Sequence, residues 1–199
     1  MKRLSKIAYG LVATTTVAAA AYAAMAPGTF SVISLHSNVG FSVPIAGGLS
    51  HLQGKFTKYS AAIVYDPSAL SKSSVKATID ATSLDTGDAM RDKHTIGKEG
   101  FWAAKYPTIT FVSKRIEKAG NGFRCTADMT MRGVKKEVVV QFHQTGTKNV
   151  GEGVSLIGFE GGFKVDRRDY GLNWEMPGSP DWVGNSVDIQ ISVIARPHR

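Results

Sequence analysis

An all-β fold, an antiparallel barrel of eight strands with one or two short helices, is what this sequence predicts. Three observations lead there. Apolar residues recur at every second position through most of the chain, which is the period of a strand with one dry face and one wet face. Clusters of Gly, Pro, Asn and Asp separate these stretches at hairpin-like intervals. The alternating stretches number about eight, enough to close on themselves.

The elements follow in order. Val39, Phe41, Val43 and Ile45 alternate with Gly40, Ser42 and Pro44 inside a strand over about 30–45. Ala46-Gly47-Gly48 turns the chain into a second strand, about 49–65, which ends at Asp66-Pro67-Ser68. Val75, Ala77, Ile79 and Ala81 mark a third, about 73–82. A fourth spans about 107–118 and contains Ile109 and Phe111. After Gly120-Asn121-Gly122, the positions Phe123, Cys125, Ala127, Met129 and Met131 define a fifth, about 122–132. Arg132-Gly133 leads to a sixth, about 134–147, with Val138, Val140 and Phe142 on one side. Gly151-Glu152-Gly153 leads to a seventh, about 153–166. Val187, Ile189, Ile191 and Val193 mark the last, about 185–196. The segment 88–105 lacks alternation and is expected to form the short helices, placed over one end.

One-faced strands without helices to cover them share a single interior, in two packed sheets or a closed barrel. Long strands in hairpin order favour the barrel, which removes exposed edges. Such a barrel is either filled by its own side chains or holds one small ligand. Small Ala77, Cys125 and Ala127 and adaptable Met129 and Met131 suit an apolar cavity, and equally suit a core that sets small against large residues. A barrel embedded in an outer membrane would turn its apolar face outward. Here the wet faces carry Lys, Asp, Arg and Gln, as a water-facing exterior does.

The start of the chain is different. Met1-Lys2-Arg3 and Lys6 precede a mostly apolar run ending in Ala21-Tyr22-Ala23, the pattern of a secretory signal peptide. Residues 1–23 are read as that signal and 24–199 as one mature domain, periplasmic or secreted. Loss of Lys2, Arg3 and Lys6 lowers the formal charge from +8 to about +5. That balance permits transient contact with anionic lipid surfaces. No dense Lys/Arg run suggests nucleic acid. The single cysteine, Cys125, cannot form an internal disulfide and reads as a small buried residue.

Several phrases, in order along nearly the whole mature chain, resemble the YceI-like family of exported lipid-binding proteins. They are His36-Ser37 with Val39-Gly40-Phe41-Ser42-Val43, and Gly54-Lys55-Phe56 with Tyr65-Asp66-Pro67. Next come Ile79-Asp80-Ala81-Thr82-Ser83-Leu84-Asp85-Thr86-Gly87 with Arg91-Asp92-Lys93-His94, then the run from Phe101 to Phe111. Met129-Thr130-Met131-Arg132-Gly133 and Val165-Asp166-Arg167-Arg168-Asp169-Tyr170-Gly171 complete the set. The chain departs from the family pattern at Phe30 and Ile33, where Trp and Asp are common, and at Thr95 after His94. The resemblance implies a lipocalin-like barrel with a tunnel for a polyisoprenoid, an isoprenoid quinone or a similar amphiphile. It also implies an exported location and, for many members, a homodimer.

Candidate chemistry is sparse. Asp85, Arg91, Asp92 and His94 could do acid–base work. The alternative is a latch in which Arg91 pairs a carboxylate and Asp85-Thr86 caps a helix. A third reading gives Arg91 or His94 a lipid head group. Asp166-Arg167-Arg168-Asp169 reads as a surface ion network, with phosphate contact by an arginine as the alternative. The loop 171–184, with Trp174 and Trp182, is a candidate lid. The five histidines show no metal-ligand spacing, and no nucleophile-elbow or phosphate-loop motif is present.

The expected ligand-binding residues are Val39, Phe41, Val43, Ala77, Ile79, Ile109, Phe111, Phe123, Cys125, Ala127, Met129, Met131, Val140, Phe142, Ile189 and Ile191, with Arg91, His94 and Trp174 as polar contacts at a mouth. No catalytic residue, metal or cofactor is assigned beyond a bound isoprenoid-like lipid. Two rival classes stay open: an enzyme or redox accessory acting on a quinone or lipid through His94 with Asp85 or Asp92, and a solid-cored structural or stress protein without ligand.

Overall fold

The computed structural model describes residues 27–198. The expected signal, 1–23, lies outside them.

Among the described residues, eleven strands and one α-helix follow in order: β1 (Gly28–Val32), β2 (Asn38–Ile45), β3 (Ser50–Phe56), β4 (Tyr59–Tyr65), β5 (Ser74–Asp80), β6 (Leu84–Asp85), α1 (Ala89–Ile96), β7 (Thr108–Ala119), β8 (Gly122–Met131), β9 (Val134–Asn149), β10 (Ser155–Asp166) and β11 (Ser186–Pro197). All pairings are antiparallel. The circuit β1-β4-β5-β7-β8-β9-β10-β11 returns to β1, so eight strands close a barrel. Closure decides between barrel and packed sheets in favour of the barrel.

The expected first two strands are each broken. A 3-10 turn at Ser34–His36 separates β1 from β2, and Thr57-Lys58 separates β3 from β4. The break lets β11 pair with β1 through Ala195–Pro197 and with β2 through Asp188–Ser192. The expected third strand ends at Asp80, turns, and resumes only as β6. β6 reaches β3 at Lys55 and Phe56 alone. At this end the wall between β3 and β7 is therefore closed by α1 and the chain around it. One helix forms in 88–105, the lower of the two expected numbers.

Apolar faces turn inward. In β8, Cys125, Ala127, Met129 and Met131 are buried while Arg124 is exposed. Outside, Lys114 reaches Glu137 at 2.7 Å and Asp128 at 3.7 Å, which fits a wet exterior. Two bulges adjust the alternation. Between Ser113 and Arg115 the register shifts, so Lys114 and Arg115 both face water before Ile116 turns back in. A second shift lies between Gly158 and Phe159.

The interior has two storeys. At the end where β1 begins and β11 finishes, Phe30, Ile63, Tyr65, Ile157, Phe159 and Ala195 form a plug. The other end has walls built from β2, β5, β7, β8, β9 and β11 and a hollow between them. The split predicts unequal costs for the same deletion. Ile157, with 0% exposure, has atoms on every side. Its truncation, Ile157→Ala, is expected to cost about 2–5 kcal/mol. Ile79→Ala, on the hollow's wall, is expected to cost less than half of that in lipid-free protein, since one side of Ile79 already faces space. Urea unfolding of both variants checks the difference.

Candidate functional site

The hollow is a cavity of about 780 Å³. Its size lies within the range of small-ligand sites. Fourteen of the expected wall residues line it: Val39, Phe41, Val43, Ala77, Ile79, Ile109, Phe111, Cys125, Met129, Met131, Val140, Phe142, Ile189 and Ile191. Arg91, His94 and Trp174 also line it, from α1 and the loop 171–184.

Two expected residues do not. Ala127 points inward with 0% exposure, but it pairs opposite Ser113 at the β7 bulge and is covered by its neighbours. Phe123 belongs to the plug side, where it lines a separate void of about 30 Å³ with Tyr65 and Ile116. Alternation tells inward from outward; it does not tell which storey an inward residue occupies.

Other wall residues were missed. Phe163 and Val165 follow the same period-two rule in β10 and were legible there. Phe56 and Phe101 meet edge to face at 5.8 Å, joining β3 to the chain after α1. Leu172, Met176 and Val183 sit on the loop 171–184, which has no periodicity to reveal them.

Most of the polar lining collects at one end, with Tyr59, Ser60 and Glu160 on the barrel strands. Thr86, Asp88, Arg91, His94, Thr95 and Glu99 all come from the segment around α1. That segment is held by a latch, built differently from the expected one. Asp88, not Asp85-Thr86, caps α1, its Oδ1 accepting from the Arg91 backbone N–H at 2.8 Å. Thr86 is the hub. Its N–H and hydroxyl donate to Asp92 Oδ1 at 2.9 and 2.6 Å. Arg91 donates to the Thr86 hydroxyl at 2.8 Å and to its carbonyl at 2.9 Å, where a carboxylate partner was expected. Asp85 accepts from Gly87 N–H at 2.9 Å and stands 3.9 Å from Lys55. His94 packs on Trp174 instead, ring centres 4.8 Å apart, so helix and loop meet over the cavity. Of the acid–base grouping read from sequence, Asp85, Arg91 and Asp92 are thus engaged in hydrogen bonds that shape the mouth, and His94 in ring packing.

Arg167 corrects the surface-network reading. Arg168 and Asp166 do pair in the open at 3.1 Å, and Lys136 reaches Asp169 at 3.3 Å. Arg167, only 8% exposed, turns inward and donates to four backbone carbonyls: Leu172, Trp174 (2.9 Å), Val183 (3.0 Å) and Gly184 (3.1 Å). Burial pushes its guanidinium below its ordinary pKa, although arginine stays protonated at any ordinary pH. One side chain therefore gathers both ends of the loop. Arg132 adds a second tie, donating to the Gly171 carbonyl and, at 3.1 Å, to that of Lys98.

Cys125 offers no nucleophile. Burial pushes its thiol up to about 11, so the thiolate is scarce at neutral pH.

A model of the YceI-like domain matches residues 30–195. The protein YceI of Escherichia coli is 32% identical over 159 residues, 79% of this chain and 80% of that one. Among solved structures, Burkholderia cenocepacia BcnA is 28% identical with a TM-score of 0.69, covering 82% of this chain and 98% of its own. A polyisoprenoid binding domain from Saccharophagus degradans is 15% identical with a TM-score of 0.63, covering 85% of this chain and 98% of its own. It shares the fold.

The clamp makes a prediction. Arg167→Ala is expected to cost on the order of 3 kcal/mol, because buried carbonyls lose a charged partner. The loop 171–184 should become the first site of protease cleavage while the barrel's circular dichroism stays the same. Arg167→Lys should recover little, since an ammonium lacks the guanidinium's planar fork. Limited proteolysis alongside urea unfolding reads both.

Proposed function

The chain belongs to the YceI-like family, and on that premise we propose that it binds a long apolar amphiphile inside its barrel. A polyisoprenoid, an isoprenoid quinone or a similar lipid fits, held for storage or transport in the cell envelope. The observation that carries this reading is the cavity: about 780 Å³, walled by apolar side chains, with polar groups gathered around α1. Affinity then comes from burial, at about 0.8 kcal/mol for each CH2 group removed from water. A long chain binds tightly with few polar contacts. The head group is met at the mouth by Arg91, His94 and Trp174.

Binding without chemistry is favoured over the enzyme reading. Asp85, Asp92 and Arg91 have structural partners within this same segment, and Cys125 is held neutral.

The rim suggests where the lipid comes from. Met90 is 83% exposed and Trp182 40%, and both also line the cavity. Leu49, 90% exposed, tips the neighbouring hairpin, whose Ala46 N–H donates to the Trp182 carbonyl at 2.7 Å. Exposed apolar side chains continuous with a lipid cavity are suited to brief contact with a bilayer surface. Tryptophan favours that interface.

Mass spectrometry of an organic extract from freshly purified protein tests the reading. An isoprenoid lipid is expected. Ala77→Trp, which fills the hollow from β5 at a cost of about 1–3 kcal/mol, should fold and lose that lipid. An extract without lipid, together with no protection of Cys125 from N-ethylmaleimide by added prenols at alkaline pH, would sink the proposal. Leu49→Ser, at a rim residue outside the cavity lining, should slow lipid transfer from vesicles several-fold while the affinity for lipid stays unchanged.

A further inference from the structure

The cavity's inner end is a wall of aromatic rings. Phe142 stands 5.2 Å from Phe123 and 6.0 Å from Phe159, centre to centre. Tyr65 closes the group, 5.4 Å from Phe159 and 6.1 Å from Phe123, its hydroxyl donating to Gln144 Oε1 at 3.0 Å. These rings lie edge to face or tilted, the arrangement aromatic pairs prefer.

Phe142 and Phe159 are distinguished from the rest. Of the four rings, these two line both the main cavity and the small void of about 30 Å³ behind it, as Ile63 and Val75 do beside them. They are therefore a partition between two spaces. Their positions are built in. A Cβ at Gly161 would come 2.5 Å from the Phe142 Cβ, so the β10 glycine leaves the room in which Phe142 sits. Beyond the partition the plug is dense, with Phe30 at 3% exposure and Ile157 and Ala195 at 0%.

We propose that Phe142 and Phe159 form a floor that sets how long a chain the barrel accepts. This rests on the lipid-binding reading and adds a length rule to it. A chain entering at the α1 end runs inward until its tail meets the floor. Further carbons then stay outside the mouth, in water. Taking each heavy atom of the ligand to claim the ~30 Å³ that a water has in the liquid, the hollow holds on the order of 25 heavy atoms, or about five isoprene units. Affinity should therefore rise with each added unit and then level off near that length.

Removing the floor moves the limit. A homologous series of all-trans prenols, from farnesol upward, is titrated against lipid-free protein, with tryptophan fluorescence and protection of Cys125 as readouts. In the unmodified chain the affinity reaches its plateau at one homologue. In Phe142→Ala and Phe159→Ala the plateau should move to a longer homologue. The longer prenol should gain about tenfold for every two carbons newly buried. Phe142→Leu and Phe159→Leu, which keep a packed apolar group at the floor, should move it less, and they serve if an alanine variant does not fold. Phe163→Ala, on the wall, should weaken every homologue without moving the plateau. An unmoved plateau in all floor variants overturns the proposal while lipid binding stands. No prenol binding by the unmodified chain overturns the lipid reading itself.

Discussion

Everything in this molecule depends on the closed ring of backbone hydrogen bonds. Strand number and stagger set the radius of a barrel, and side chains have no say in it. The interior volume is thus fixed before any residue fills it. At the end where β1 begins and β11 finishes the inward residues are large: Phe30, Tyr65, Phe159, Ile157. They meet across the axis and leave little space. At the other end Ala77 and Cys125 take inward positions, and rings such as Phe41 and Phe111 lean on the walls without closing the gap. Solid and hollow are two outcomes of one geometry, decided by side-chain volume.

The mouth is governed by different forces. Regular strands satisfy their own polar backbone groups, whereas the segment around α1 and the loop 171–184 have no ladder to join. Their carbonyls and amides need partners from side chains. Asp92, Arg91, Arg132 and Arg167 supply them, the last two serving several groups at once. This explains why charged residues here are sparing in ion pairs. A guanidinium that collects four carbonyls orders a loop without needing a carboxylate buried beside it. The polar clusters that invite a catalytic reading are what irregular backbone requires at the edge of a hydrophobic space.

Legibility followed the same division. Strand order, turns and inward faces were readable, because period two and turn chemistry are local signals that tertiary structure here reinforces. Val39, Phe41 and Val43, or Ile189 and Ile191, could be placed on the wall from spacing alone. Ala127 and Phe123 could not be excluded from it, since depth along the axis is a property of the whole ring. Broken strands at Ser34–His36 and Thr57-Lys58 carry no breaker strong enough to announce them. Arg167 shows the limit most clearly. Within Asp166-Arg167-Arg168-Asp169 both arginines look alike, and only the path of the chain sends one inward and the other to Asp166. The residue resemblance supplied what periodicity lacked, a reason to expect a hollow where packing arguments allowed a solid core.

An empty apolar chamber is costly to keep. Its lining atoms lack neighbours on one side and forgo dispersion contacts they would have in a packed core. The solid plug and the closed ladder hold the structure against that loss, and a chain that fills the chamber restores the contacts. Because such a ligand binds the folded state alone, it stabilises the fold by an amount that grows with the logarithm of its concentration over its Kd. Stability and occupancy are therefore linked wherever a chain fills the chamber. The same apolar wall that makes the empty barrel weak gives the filled one its affinity. On the proposed reading, the polar rim chooses among head groups and the depth of the hollow among chains.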